Sequence, residues 1–504
     1  MRLIAFLLAA FLAFVPRAFA QNPPPVFRQI PAEPAPSPAP APIRLPDLGD
    51  ASGSELPLQA ERKLGESIMR EIRFREPSYL DDPEIAEYLN GLGAQLVAAA
   101  PGARQDFELF AIRDSSINAF ALPGGFIGVH TGLISASDNE SEIASVLAHE
   151  MAHVTQHHVA RSFAVEKQAQ IPMMIAMAAA ILLARSRPDL ASGAAMAAQG
   201  GAIQSQLSYS RDFEREADRI GFQTLSGSGF DVRAMAEFFE KLQRYTRIMD
   251  SGAVPVYLRS HPVTTERISE ALDRVQKMPL KQHADTLEYH LVRAKVRAEA
   301  AEPRDAVTLF SKAVSDRRFA NEPGAHYGLA IALLRANEPK RAEAEVARLR
   351  ADKVESPMVE TLDARVRLAL GDKAGAVALL KAAMDRYPHR RPILYALLDA
   401  LQDQGRYDEA LALLAEPLRL YPRDAKLHEA RARAYASQGK RLLQHQAQAE
   451  VYVLQGSLPA AIEQLQLART SGDGNFYDQS VVEARLKELR AEHAREQQDA
   501  KKRQ

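Results

Sequence analysis

Residues 142–160 contain His149-Glu150-x-x-His153 inside a run rich in Ala, Leu, Met and Glu, all helix-favouring residues. On a helix, positions i and i+4 lie one turn apart on the same face. Two imidazoles so placed can bind one zinc ion, and Glu150 can reach a water beside it. That is the chemistry of metal-assisted peptide hydrolysis, with one Zn²⁺ per chain. The flanking Val146, Leu147, Ala148, Ala152 and Val154 make the helix apolar on several sides. Burial follows, and two buried imidazoles without a partner are costly. The alternative is a helix that carries His on a solvated face.

The chain has no Cys, so a third ligand must be His or a carboxylate. Residues 209–221 read Tyr-Ser-Arg-Asp-Phe-Glu-Arg-Glu-Ala-Asp-Arg-Ile-Gly. Asp212 is a candidate cap for a helix in which Glu214 and Asp218 share a face and Glu216 points away. Glu214 would complete a His-His-Glu set with an open position. Asp218 could orient a ligand imidazole or take part in proton transfer. The competing reading is a solvated acidic face paired with Arg211, Arg215 and Arg219. His157 and His158 follow the first motif and read as cations at a helix C-terminus rather than ligands.

The elements around these residues must hold them. Asp138 or Asn139 can cap the motif helix, with Glu140 and Glu142 in its first turn. Residues 55–105 have helical periodicity at Leu64, Ile68, Ile72 and again at Ile85, Leu89, Leu92, Leu96. Residues 107–112 read as a strand. Residues 117–122 and 126–130, around Pro123-Gly124-Gly125, read as a hairpin. Its first strand, with Asn118 and Ala119, could offer an edge to an extended substrate; it could equally be an ordinary core hairpin. The apolar run 171–184 is too short to cross a bilayer upright. It reads as a buried helix, or as a Met-rich lid or peripheral membrane contact hinged at Ser192-Gly193 and Gly200-Gly201.

A length of 504 residues implies two to four domains, and a net charge of −1 argues against a nucleic-acid binder. Residues 1–20 carry a basic start, an apolar core and Ala18-Phe19-Ala20, the pattern of a signal peptide cut after Ala20; an uncleaved anchor is the alternative. Ten Pro in residues 21–46 make a linker. From about residue 285 the chain repeats: Asn337, Gly371, Gly405 and Gly439 are spaced by 34, as are Ala342, Ala376 and Ala410. This is the tetratricopeptide period. Four repeats fill about 286–422, a fifth begins near Asp424, and the step breaks before Gly456. Such repeats bind proteins on a concave face, or simply cap the catalytic domain. Residues 485–504 read as a frayed charged end.

Taken together, His-Glu-x-x-His, Glu214-x-x-Ala217-Asp218, Asn118-Ala119, the Pro-Gly-Gly turn, Ser260-His261-Pro262 and Arg267-Ile268 resemble the zinc peptidase family of HtpX and the CAAX prenyl proteases. The resemblance implies that His149, His153 and Glu214 are the metal ligands, Glu150 the catalytic base and Asp218 a second catalytic carboxylate, often given a proton-donor role. Unlike HtpX, this chain has no spanning helices around the motif. Its signal peptide and helical C-terminal half resemble the periplasmic branch of the family, which implies outer-membrane β-barrel clients and the barrel-assembly machinery as partners. In that branch His261 would be a regulatory fourth ligand that holds the enzyme off; otherwise it caps the next helix or donates to the transition-state oxygen. The expected fold is mainly α with a small β-hairpin or sheet: a zincin-type metallopeptidase domain (47–280), an α-solenoid of tetratricopeptide repeats (285–470) and a charged tail (471–504). The expected function is a periplasmic zinc metalloendopeptidase. An exported chaperone or scaffold with a largely latent zinc site is the alternative.

Overall fold

The computed structural model describes residues 58–103, 106–158, 161, 211–248, 256–279 and 281–502. The expected signal peptide, the Pro-rich stretch, the apolar run 171–184 and the two hinge candidates lie outside the described residues.

Helices α1 (Leu58–Arg75) and α2 (Pro83–Ala99) flank a short strand, β1 (Tyr79–Leu80), that periodicity did not reveal. Asp82 caps α2 by accepting from the Glu84 and Ile85 amides, and Pro83 sits at the first helical position, where its missing N–H costs nothing. Strands β2 (Glu108–Ile112), β3 (Ala119–Leu122) and β4 (Phe126–His130) complete a sheet of order β1-β2-β4-β3. The hairpin β3–β4 forms as expected, with Ala119 opposite Val129. Its turn needs glycine: Gly125 has φ +91°, and a Cβ there would lie 2.3 Å from the Asp106 carbonyl oxygen. β2 and β4 run parallel, a long-range pairing, and β3 is left at the edge.

Side chains alternate across the sheet. Phe110, Ile112, Leu122 and Phe126 meet Ile68, Met69 and Ile72 of α1. Leu109, Ala111, Ala119, Ile127 and Val129 belong to the main core with residues of α2 and of the motif helix. After α3 (Thr131–Ala136), that helix is α4 (Glu140–Thr155), capped by Asn139, whose side chain accepts from the Glu142 amide at 3.0 Å. Every residue from Glu140 to Val154 is buried. Against it packs α5 (Arg211–Gly227), in which Asp212 is already helical instead of capping. Gly221 permits the close approach: a Cβ there would lie 3.1 Å from His149 Cα. Helices α6 (Arg233–Ile248), α7 (Val256–Ser260) and α8 (Thr265–Gln276) complete this half.

The remaining described chain is a stack of helix pairs: α9 (Leu287–Ala300) and α10 (Pro303–Ser315), α11 (Glu322–Arg335) and α12 (Pro339–Ala351), α13 (Pro357–Ala369) and α14 (Lys373–Arg386), α15 (Arg391–Gln402) and α16 (Tyr407–Leu420), α17 (Ala425–Ser437) and α18 (Arg441–Leu454). The 34-residue step marks the turn inside the last four pairs. Asn337, Gly371, Gly405 and Gly439 all have positive φ, between 60° and 88°, the conformation that ends a helix and that Gly and Asn tolerate best. Helices α19 (Leu458–Thr470) and α20 (Phe476–Lys502) close the stack. The expected frayed end is therefore corrected: α20 buries Val482, Leu486 and Leu489 against α18 and α19. No helix among the described residues is long and apolar enough to cross a membrane.

Candidate metal centre

Helix periodicity sets the site. His149 and His153, one turn apart on α4, turn their Nε2 atoms to within 3.0 Å of each other. Glu214, from the first turn of α5, brings Oε2 to 3.5 Å from His149 Nε2 and Oε1 to 3.4 Å from His153 Nε2. His261, just after α7, places Nδ1 3.0 Å from Glu214 Oε1 and 3.4 Å from His149 Nε2. One ligand atom from each of these four residues lies within 4.8 Å of the others, and all four residues are buried. Lone pairs converging this closely in a dry site repel one another unless a cation or protons lie between them. Both Glu150 carboxylate oxygens are buried beside the cluster without a hydrogen-bond partner. This donor set fits a divalent metal with nitrogen and oxygen ligands.

Asp218, one turn after Glu214, stands behind His149, its Oδ1 3.0 Å from Nδ1. Arg267 of α8 grips Asp218 with two parallel bonds, Nε to Oδ2 at 2.7 Å and Nη2 to Oδ1 at 2.8 Å. Its Nη1 lies 2.7 Å from Glu214 Oε2 and donates to the Pro262 carbonyl at 2.8 Å. One guanidinium thus ties α5 to the segment that carries His261. The edge strand β3 runs along α4. Its Asn118 carbonyl accepts from the His130 amide at 3.0 Å, so by strand alternation Ala119 and Ala121 turn their backbone groups to the open side. The Asn118 side chain faces the His130 ring, Nδ2 to Nε2 at 3.3 Å.

A family model described as "Peptidase family M48" matches residues 83–275, and two tetratricopeptide-repeat models match 291–354 and 367–434. The "Beta-barrel assembly-enhancing protease" of Yersinia pestis is 32% identical over 450 residues, 88% of this chain and 91% of that protein. The chain belongs to peptidase family M48. It is a metallopeptidase, and its mainly helical fold joins the M48 domain to tetratricopeptide repeats. The "Putative beta-barrel assembly-enhancing protease" of Vibrio cholerae is 38% identical over 304 residues, 60% of this chain; the match spans 62% of that relative's length. The mitochondrial metalloendopeptidase OMA1 of Bos taurus is 31% identical over 189 residues, 36% of this chain and 35% of its own.

In this M48 chain the charges follow from burial and neighbours. Burial pushes the Glu150 carboxyl up. Burial alone would also raise Asp218, but the Arg267 guanidinium and His149 outweigh it and hold the carboxyl at about 2. Burial works against a charge on His149, yet Asp218 and Glu214 lift its pKa to about 9 when no metal competes. Burial drives His153 well below the usual histidine range.

The structure brings His149, Glu150, His153, Glu214, Asp218 and His261 together in space, His261 being one that only the family resemblance pointed to, but His158 was misread. That residue is not an end-of-helix cation. It is fully buried, and burial lowers its pKa to about 4. Its Nε2 lies 3.1 Å from Glu216 Oε2 and its Nδ1 2.8 Å from His153 Nδ1. An ionised Glu216 can only accept, so His158 donates from Nε2 and accepts from His153 Nδ1–H. His153 Nε2 is left as a bare lone pair facing the cluster. The only advance signal was that Glu216 points away from Glu214. His157 turns left-handed, at φ 53°, and pairs at 3.6 Å with Glu61.

Proposed function

We propose that this M48 peptidase is an exported zinc metalloendopeptidase acting on outer-membrane β-barrel proteins during their assembly in the periplasm. The observation that carries the reading is the convergence of His149, His153 and Glu214, with Glu150 beside them, in one buried cluster. Two imidazoles and a carboxylate suit zinc. A zinc ion held there would supply a Lewis acid for the scissile carbonyl. Glu150 takes a proton from the attacking water and passes it to the leaving amine. Asp218, fixed by Arg267, holds His149 in the right tautomer rather than donating a proton. The open side of β3, with Asn118 at its start and Ala119 and Ala121 along it, takes the substrate as an added strand.

The relatives named as barrel assembly-enhancing proteases support β-barrel clients and the assembly machinery as partners. The repeats support a client-binding role for 285–470, after a peptidase domain at 47–280. The leader at 1–20 supports export. His261 inside the cluster favours a resting state in which it fills the position the water needs. The Tyr257 amide, four residues earlier, donates to the Ile117 carbonyl at 3.4 Å and so ties the same segment to the start of the strand edge. This also lends weight to a second reading, a chaperone or scaffold whose site is largely latent.

Degradation of a misassembled barrel protein by the purified full chain separates the two. Glu150→Gln is expected to slow cleavage by about a hundredfold or more while client binding persists. His261→Ala is expected to speed it. No degradation by either the parent or the Glu150→Gln protein, with client binding intact, would leave the scaffold reading, and unchanged degradation by the Glu150→Gln protein would remove Glu150 as the base. Simple loss of activity in His261→Ala would count against the switch.

A further inference from the structure

The first repeat contains a basic cavity that the peptidase chemistry does not use. Between α9, α10 and α11 lies a pocket of about 190 Å³, lined by Arg293, Arg297 and Arg318 together with His290, with the buried Phe310 and the exposed Leu309 as its apolar part. No Asp or Glu lines it. None of the three guanidiniums makes an ion pair among the described residues, whereas Arg348, Arg350 and Arg367 of the following repeats each do. Arg293 Nε is buried and has no hydrogen-bond partner. Asp285, outside the lining, faces His290 at 3.8 Å. Burial and the neighbouring Arg293 both lower the pKa of Arg297, the mark of two cations held together without a counter-charge.

Cations crowded without partners disfavour the empty state and favour an anion. Arginine presents a planar fork that matches a carboxylate with two parallel bonds. Apolar surface is at hand: Phe310 is buried, and Leu309 is 46% exposed, free to cover an incoming apolar group. The volume suits one residue rather than a long segment. An M48 peptidase acts on polypeptides, so the anion is most simply one that a polypeptide carries. We propose that this pocket binds a carboxylate of a client polypeptide together with an adjoining apolar side chain, and so anchors the client on the repeats. A chain-terminal carboxylate and an Asp or Glu side chain share this chemistry. The inference rests on the peptidase reading for its ligand class but not on turnover.

The test is binding measured by fluorescence anisotropy with the full chain carrying Glu150→Gln, and mass spectrometry of each probe after titration shows that it stays intact whether or not the catalytic assignment holds. Three labelled hexapeptides are compared: one with an apolar last residue and a free carboxylate, its C-terminal amide, and an amide with an internal Glu beside Phe. The expected result is binding of a carboxylate-bearing peptide that falls at least tenfold in Arg297→Gln and again in Arg293→Gln, with unchanged thermal unfolding. Loss on amidation assigns the terminal carboxylate; retention in the Glu peptide assigns a side chain. Arg318→Gln, at an exposed position, provides a third variant that should fold whatever the others do. Equal binding of all peptides to parent and variants would overturn the proposal. So would arginine-dependent binding of inorganic phosphate or anionic lipid vesicles with no peptide binding.

Discussion

The imidazoles of His149 and His153 are each held from behind by a different carboxylate route. Asp218 takes the Nδ1 side of His149 directly. Glu216 reaches His153 through His158. Both routes leave Nε2 facing the cluster, and their loss should weaken metal binding before it disturbs the fold. Asp218→Asn is expected to lower metal affinity by about 10- to 100-fold, read by competition with a chromogenic chelator. His158→Phe should act in the same direction, because His153 Nδ1–H loses its acceptor. Affinity unchanged in both variants would remove these positioning roles. Arg267 differs in kind: Arg267→Ala strands Asp218 and Glu214 as buried carboxylates, with an expected loss of about 3–5 kcal/mol in chemical denaturation. The pair His149 and His153 was legible because one-turn spacing acts within a single helix, whereas Glu214, on another helix, could only be offered as a candidate third ligand. His158 was not legible, since the left-handed turn at His157 swings it back against His153 and periodicity does not foresee such a turn.

Between elements, the site depends on how closely α5 can lie on α4. Gly221 sits at that crossing against the His149 backbone. Gly221→Leu is expected to force the helices apart, with overpacking costs of about 1–3 kcal/mol and a fall in bound metal. Wild-type melting temperature and metal content in this variant would show that the crossing has slack. The same scale explains what the sequence left open. The β3–β4 hairpin announced itself through Pro123-Gly124-Gly125, a local signal. The parallel pairing of β2 with β4, which makes β3 an edge, joins segments that no turn connects. Likewise α20 looked like a charged tail because only Val482, Leu486 and Leu489 among its many polar residues are its core contacts.

Across the whole molecule, peptidase and repeats share a core. One apolar cluster runs from Leu80 and Leu89 through α4 to Tyr289, Tyr327 and Val366. Polar contacts reinforce it at the start of α4: Glu140 accepts from the Thr286 amide at 2.9 Å and from the Tyr88 hydroxyl at 3.1 Å, and the Tyr289 hydroxyl donates to the Ser137 carbonyl at 3.1 Å. The repeat period was plain in the sequence, but this seam was not, because it joins residues about 150 positions apart. Residues 58–280 expressed alone are expected to be unfolded or aggregated, and the full chain to melt in one transition that tryptic digestion and circular dichroism report alike. Two separate transitions would show that the halves are independent.

The account as a whole stands on a metal held by His149, His153 and Glu214. Anomalous diffraction from crystals of the purified full chain, collected on both sides of the zinc absorption edge, addresses it directly. The expected result is a single zinc peak among those three side chains, absent when Glu214 is replaced by Gln. A zinc peak elsewhere, or none at this cluster in zinc-replete protein, would contradict it.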